Sequence, residues 1–211
     1  MIRTESEARE FISNLAFDDI ALNKLEKLAA LLSEENDRQN LVSRSSLDEV
    51  WVRHFADSAQ LLDHVPRETA SSWLDLGSGA GFPGLVVSIL RPDQKVVLVE
   101  SRRKRVEWLE AMASTLGLKN CRVEGLRLEL VESFPAGVIS ARAFAPLPKL
   151  LRLSARFSTG GTKWVLPKGR SATQEVEELS PKLKPMFHVQ QSMTDTDAGI
   201  VVGHGKIGTG K

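Results

Sequence analysis

Cysteine is nearly absent from this 211-residue chain, in which Cys121 stands alone. One thiol rules out an internal disulfide and any zinc site built on cysteines, so no metal is expected. On an expected strand, Cys121 reads as a small buried hydrophobe. Long apolar runs are missing too. The longest, Leu85 to Leu90, has Ser88 inside it and falls far short of the ~20 residues that span a bilayer. Met1-Ile2-Arg3-Thr4-Glu5 has neither the charge nor the apolar core of a secretion signal, so a cytoplasmic chain without a membrane partner is expected. Internal repeats and low-complexity linkers are also lacking.

Acidic residues vanish between Ser133 and Gln174, where Arg142, Lys149, Arg152, Arg156, Lys163, Lys168 and Arg170 supply seven positive charges. The net charge of +1 therefore conceals a division. Residues 1–100 hold 10 basic and 17 acidic side chains, and residues 101–211 hold 18 and 10. A basic half of this kind suits a phosphate backbone as partner. With 42% hydrophobic residues, the chain has core material for one domain.

The stretch that organises the rest is Ser72-Trp-Leu-Asp-Leu-Gly-Ser-Gly-Ala-Gly-Phe-Pro-Gly-Leu85. A short apolar run stops at clustered glycines, and helical spacing resumes at Leu85, which reads strand, glycine loop, helix. Such a loop brings backbone N–H groups and a helix N-terminus close to a small ligand. Gly79 to Gly84 fits the G-x-G-x-x-G of dinucleotide binders. Asp75 to Gly81 fits the acidic-x-G-x-G-x-G of S-adenosylmethionine methyltransferases. A carboxylate at the strand end repels a pyrophosphate and favours a sulfonium and an ammonium, so S-adenosylmethionine is the preferred cofactor. Glu100, 23 positions after Gly77 at the tip of the next apolar run, is placed to accept hydrogen bonds from ribose hydroxyls.

Asn40-Leu-Val-Ser43, Arg53-His-Phe-Ala-Asp-Ser58, Asp75 to Gly84 with its Phe-Pro-Gly ending, Lys104-Arg105 and Ser140-Ala-Arg-Ala-Phe-Ala145 together resemble the bacterial glucose-inhibited division protein B family. The resemblance runs from about Glu26 to Arg170. It implies a guanine-N7 methyltransferase of the small-subunit ribosomal RNA, with S-adenosylmethionine as cofactor and a guanine in the decoding-region loop of 16S RNA as target. It also implies that Arg142 contributes to the cofactor site and that Leu128 and Glu129 frame the adenine. The competing readings are a methyltransferase acting on a non-RNA substrate and a dinucleotide-binding regulator without catalysis.

Helices are expected over Ser6 to Leu15, Asp19 to Arg38 with Asp18 or Asp19 as cap, and about Leu47 to Val65 with Ser46 as cap. These form an N-terminal helical cap, residues 1–68, on a methyltransferase core, residues 69–211, within one domain. Strands are expected at 72–76, 95–100, 121–125, 137–142 and 162–167, with helices at 84–91, 102–117, 147–158 and 171–180. A terminal strand pair follows at Phe187 to Ser192 and Gly199 to Lys206, with a fraying tail to Lys211. Alternation of this kind predicts an α/β, Rossmann-like class I fold with a mostly parallel seven-stranded sheet. By analogy with that fold, the terminal pair carries an antiparallel edge strand.

Methyl transfer to N7 of guanine needs alignment but no general base, because N7 has a free lone pair. Strand four ends in Ser140-Ala-Arg-Ala-Phe-Ala-Pro146 and not in the Asn/Asp-Pro-Pro-aromatic motif of exocyclic-amine enzymes, and no Pro-Cys pair for carbon-5 methylation of pyrimidines occurs. Gly77, Gly79, Gly81 and Phe82 are assigned to the methionine end of the cofactor and Glu100 to its ribose. Arg142, at the ligand-binding edge of the sheet, suits either the cofactor or guanine O6. The lack of acids near it in sequence argues against a simple ion pair. Asn40, His54 and Asp57 are substrate-orienting candidates, and Asp57 would offset charge developing on the purine. Arg102, Arg103, Lys104 and Arg105 open a helix against its dipole, which points to RNA phosphate. Lys168 and Arg170 are further RNA candidates, Lys168 also for the target base. A monomer is expected.

Overall fold

The computed structural model describes residues 1–208 other than Phe17, Glu68 and Ala70. Thr209 to Lys211, and with them the end of the expected fraying tail, lie outside the described residues.

The helical cap begins with α1 (Glu5–Leu15), whose N-terminus closes a capping box between Thr4 and Glu7. The helix α2 (Asp19–Gln39) starts on Asp18, whose carboxylate accepts from Ile20 N and Ala21 N. It buries Ala21, Leu25, Leu28 and Leu32 along one stripe, as the three- and four-residue spacing requires. The expected third helix is broken into pieces. First comes α3 (Arg44–Asp48), capped by Ser43 and not by Ser46. A π-helical turn follows over Trp51–Ala56, then α4 (Asp57–Ala59) and a 3-10 turn over Gln60–His64. The break falls at Glu49, with φ −118° and ψ 41°. Beyond it, Trp51 N and Val52 N donate to the Glu5 carboxylate of α1 at 3.2 and 3.0 Å. A carboxylate from another helix thus takes over part of the capping that a continuous helix would supply itself.

The sheet carries β1 (Ser72–Leu76), β2 (Val96–Val99), β3 (Cys121–Glu124), β4 (Ala136–Ser140), β5 (Ser158–Gly169), β6 (Phe187–Gln191) and β7 (Gly199–His204). Their order is β3-β2-β1-β4-β5-β7-β6. The pairs among β1 to β5 are parallel, and β7 runs antiparallel to both β5 and β6. The antiparallel strand is therefore inserted, with β6 at the edge, which corrects the expectation of an antiparallel edge strand. Helices α5 (Gly84–Leu90), α6 (Arg103–Thr115), α7 (Leu147–Ser154) and α8 (Ala172–Glu177) are the crossovers. The strands β1, β2 and β4 are buried along almost their whole length, because a parallel sheet is covered on both faces.

One apolar cluster joins Ile12, Leu25, Leu28 and Phe55 of the cap to Trp73, Leu85, Leu98 and Val138. A second, on the other face, joins Leu74, Leu76 and Ile139 to Leu150, Phe157 and Trp164. The cap thus shares the core of the sheet face that α5 covers. No described helix is long and apolar enough to cross a membrane.

The far end of α5 is fixed by Asn120, just before β3. Its Nδ2 lies 3.0 to 3.1 Å from the carbonyls of Ser88, Arg91 and Gln94, and its Oδ1 accepts from Ser88 Oγ at 2.9 Å. Replacing Asn120 with Ala removes the donor to Ser88 O, which Pro92 cannot supply from the backbone, and is expected to cost about 2 kcal/mol in urea unfolding.

Candidate functional site

Side chains alternate along β1, so Trp73 and Asp75 face the cap side while Leu74 and Leu76 enter the opposite cluster. Asp75 is fully buried. Its Oδ1 accepts from Ser140 Oγ of β4 at 2.7 Å, and Ser140 Oγ in turn accepts from Trp73 Nε1 at 2.8 Å. Its Oδ2 accepts from Gly84 N, the first residue of α5, at 3.2 Å. Burial raises its pKa to about 6 against the hydrogen bonds it receives. Asp75, a cofactor-binding candidate for its charge, holds its carboxylate beneath the loop and ties the loop down.

That tie demands glycine at position 84. A Cβ there would stand 2.1 Å from Leu98 Cδ2 and 2.9 Å from Asp75 Oδ2, so helix and strand could not approach. Within the loop, Gly77, Gly79 and Gly81 all have positive φ. At Gly81, with φ 107°, a Cβ would also meet Leu85 at 2.3 Å.

Glu100, at the tip of β2, is buried against this loop. Its Oε2 accepts from Gly79 N at 3.1 Å, and its Oε1 from Ser101 N and Arg102 N at 2.8 Å each. It therefore joins two tasks, holding the loop and placing negative charge at the N-terminus of α6. Arg102, Arg103 and Lys104 are exposed there, Arg103 pairing with Glu107 at 2.8 Å. Arg105 is turned toward the loop, its Nη1 lying 3.6 Å from where a Cβ on Gly79 would be.

The second part of the site forms where the cap meets the segment after β4. Arg142 donates from Nη1 to Arg53 O at 3.2 Å and to Asp57 Oδ2 at 3.4 Å, and from Nη2 to His54 Nδ1 at 3.1 Å. Asp57, which is 85 positions away in sequence, is thus the ion-pair partner that the local shortage of acids seemed to exclude. Because a guanidinium only donates, His54 Nδ1 must be the bare nitrogen, and Nε2–H donates to Ser46 Oγ at 3.0 Å. Burial, followed by the Arg142 and Arg53 charges, lowers the His54 pKa to about 3. The Phe82 ring stacks on His54 at 4.8 Å and lies 5.2 Å below the Arg142 guanidinium. The side chain of Phe82 therefore supports the cap, whereas its expected place was among the ligand-facing groups of the loop.

Between these elements opens a cleft of about 600 Å³. His54, Asp57, Arg142, Phe144, Lys168 and Thr194 are among its lining residues. It borders the loop, since Phe144 packs where a Cβ on Gly77 would fall, at 2.6 Å. Lys168 is not free for phosphate: its Nζ donates to Ala145 O at 2.6 Å and pairs with Glu175 at 2.9 Å, with the side chain only 8% exposed. Burial would raise the Glu175 pKa, but Ser171, Lys168 and Leu147 N–H hold it below the usual carboxylate range. Arg170 is exposed and pairs with Asp197 at 2.8 Å. Arg156 donates to Ser133 Oγ and Leu128 O. Leu128 is buried on a 3-10 turn with Glu129 exposed beside it. Asn40 is the left-handed C-cap of α2, exposed and apart from the cleft lining.

Sequence reasoning missed Ser46, Gln60, Ser140, Glu175 and Thr194, which hold the named residues in place. Only Ser140 carries a local signal, as a polar residue within an apolar strand.

A histidine held neutral in the fold stabilises it fully above the unfolded pKa near 6.5, and that contribution is lost as pH falls toward 3. Asp75 acts oppositely between its unfolded value of 3.8 and about 6, its native proton affinity favouring the fold at the acid end. Comparing wild type with His54→Gln cancels the Asp75 contribution. Between pH 7 and pH 4.5, urea unfolding is expected to show wild type losing about 2 kcal/mol more than the variant.

The sequence pattern of the family described as rRNA small subunit methyltransferase G matches residues 21–199. A ribosomal RNA small subunit methyltransferase G from Erythrobacter litoralis is 62% identical over 209 residues, covering 99% of this chain and all of the relative. One from Novosphingobium aromaticivorans is 55% identical, covering 95% and 88%. Among solved structures, a SAM dependent methyltransferase from Aquifex aeolicus superposes with a TM-score of 0.57 at 16% identity, over 85% of this chain and 98% of that one. The fibrillarin/Nop5p complex gives 0.56 at 12% identity, over 73% and 82%. These two likenesses show the fold, and the sequence matches show the kinship. The chain belongs to the rRNA small subunit methyltransferase G family.

Proposed function

We propose that this chain transfers the methyl group of S-adenosylmethionine to N7 of a guanine in the decoding-region loop of 16S ribosomal RNA. The loop suits that cofactor: three glycines at positive φ place side-chain-free backbone at the switch point between β1 and β4, where open α/β sheets bind ligands. Gly77, Gly79 and Gly81 would receive its amino-acid end, Glu100 its ribose, and Leu128 with Glu129 its adenine. Bound there, S-adenosylmethionine supplies an electrophilic methyl group on a sulfonium.

The observation that carries N7 is the state of the acids and bases lining the cleft. His54 Nδ1 is occupied by Arg142, Asp57 by Arg142 and Thr194, Glu175 by Lys168, and Asp195 by Arg53. An exocyclic amine is poorly served by such a cleft, and a ring nitrogen with its own lone pair needs no proton taken. Arg142 keeps N–H groups beyond those it gives to the cap, suited to guanine O6. Arg102, Arg103 and Lys104, exposed beside the loop, are the RNA-facing cations. The substrate is a small ribosomal subunit or an assembly intermediate. The chain acts in the cytoplasm as a monomer, the 1–68 cap and the 69–211 core folding together as one domain.

The test is incorporation of labelled methyl groups into small subunits lacking the modification, followed by reductive cleavage selective for N7-methylguanine. One cleavage in the decoding-region loop is expected. Arg142→Ala should lower kcat/KM about 100-fold, in line with loss of a charge-assisted hydrogen bond. Label without cleavage would reject N7, and no label on any RNA form would reject RNA as substrate.

A further inference from the structure

The segment between β6 and β7 reaches back across the sheet edge to the cap and forms one wall of the cleft, with Ser192, Thr194 and Asp195 among its lining. Six hydrogen bonds hold it there, one of them from Gln60 Nε2 to Thr194 Oγ1 at 3.4 Å. Met193 N donates to Gln60 Oε1 at 2.7 Å, Ile2 N donates to Met193 O at 2.7 Å, Gln60 Nε2 to Ser192 Oγ at 3.2 Å, Thr194 Oγ1 to Asp57 Oδ1 at 2.9 Å, and Arg53 to Asp195 at 3.4 Å. Gln60 and Thr194 are themselves buried, so these bonds are not exchanged freely with water.

Two donors of this network, Thr194 and Gln60, meet on one carboxylate. Asp57 Oδ1 accepts from Thr194 Oγ1 and from Gln60 Nε2 at 3.0 Å, while its Oδ2 faces Arg142 Nη1. A carboxylate held on one oxygen by two donors keeps a fixed torsion, and the other oxygen then fixes the guanidinium opposite. We propose that Thr194, with Gln60, is a positioning residue for methyl transfer: it holds Asp57 so that Arg142 meets the acceptor base in the cleft. Thr194 touches neither Arg142 nor the glycine loop in any hydrogen bond of the structure, and it acts through Asp57. The inference rests on the reading of the cleft as the acceptor site.

The experiment uses Thr194→Val, which keeps the side-chain shape and removes the donor, and Thr194→Ser, which restores it. Thermal midpoints are recorded for every protein. Thr194→Val is expected to lower kcat/KM for small subunits about tenfold, the loss of one hydrogen bond to a charged group, while the dissociation constant for S-adenosylhomocysteine stays within about twofold. Thr194→Ser is expected to recover activity. In an Arg142→Ala background, Thr194→Val is expected to add no further loss, since both act through one contact. Full additivity, equal loss of S-adenosylhomocysteine affinity, or failure of serine to rescue would each overturn the positioning role. So would wild-type kinetics in Thr194→Val. Absence of methylation by the wild-type protein itself would instead reject the acceptor-site reading beneath it.

Discussion

Everything around the site depends on one buried carboxylate. Asp75 has no exposed surface, yet it stays hydrogen-bonded on both oxygens, to the hydroxyl of β4 and to the first N–H of α5. A buried acid in this position is costly unless each oxygen is satisfied. Satisfying them fixes three elements at once: the spacing of β1 and β4, the start of α5, and the turn of the glycine loop strung between them. Ser140 and Gly84 follow from that constraint, the first as a donor inside an apolar strand, the second because any side chain would separate helix from carboxylate. The attraction of an acid for a cationic ligand, which the motif invites one to infer, is secondary to this anchoring.

The cap is joined to the anchor by a second set of contacts, and these depend on an irregular helix. A continuous α-helix from Leu47 to Val65 would present His54 and Asp57 on one face at regular spacing. The π-helical turn over Trp51–Ala56 instead sits over Phe82, with His54 stacked on that ring and Arg142 above it. The Glu5 carboxylate of α1 receives N–H groups at the head of the turn, and π-helical turns are commonly found at functional sites. The glycine loop thus contributes through its side of Phe82 to the geometry of the cleft, and the cap contributes to the loop.

Much of this was legible in the sequence. The first strand was readable to the residue at Ser72–Leu76, because an apolar run ended abruptly in glycines. Asp18, one of two acids that could cap α2, does so, and the seven strands fell close to their expected places. What was not legible was pairing across distance. The run from Ser133 to Gln174 without acids looked like an open cationic surface, but Arg142 and Arg170 find the distant Asp57 and Asp197 in the fold, and Lys168 pairs with Glu175, the first acid after the run. A local count of charge describes chain neighbours, and ion pairs are set by sheet order. The insertion of β7 between β5 and β6 was hidden for the same reason: each strand reads alike whether it lies inside the sheet or at its edge.

These pairings bear on the proposed reaction. Methyl transfer from a sulfonium to a ring nitrogen moves one positive charge a short distance and creates none, so no developing anion calls for a preorganised set of donors. Alignment then supplies most of what a protein can add, and alignment is a matter of stiffness. The cleft is stiff in a specific sense: its cations and carboxylates are bound to one another, its histidine is neutral and held at both nitrogens, and its far wall is tied to the cap by the buried amide of Gln60. A site built around a base would leave one of these groups free to take a proton. Here they are spent on holding Arg142 and the walls in register, which is the requirement of a reaction whose acceptor brings its own lone pair.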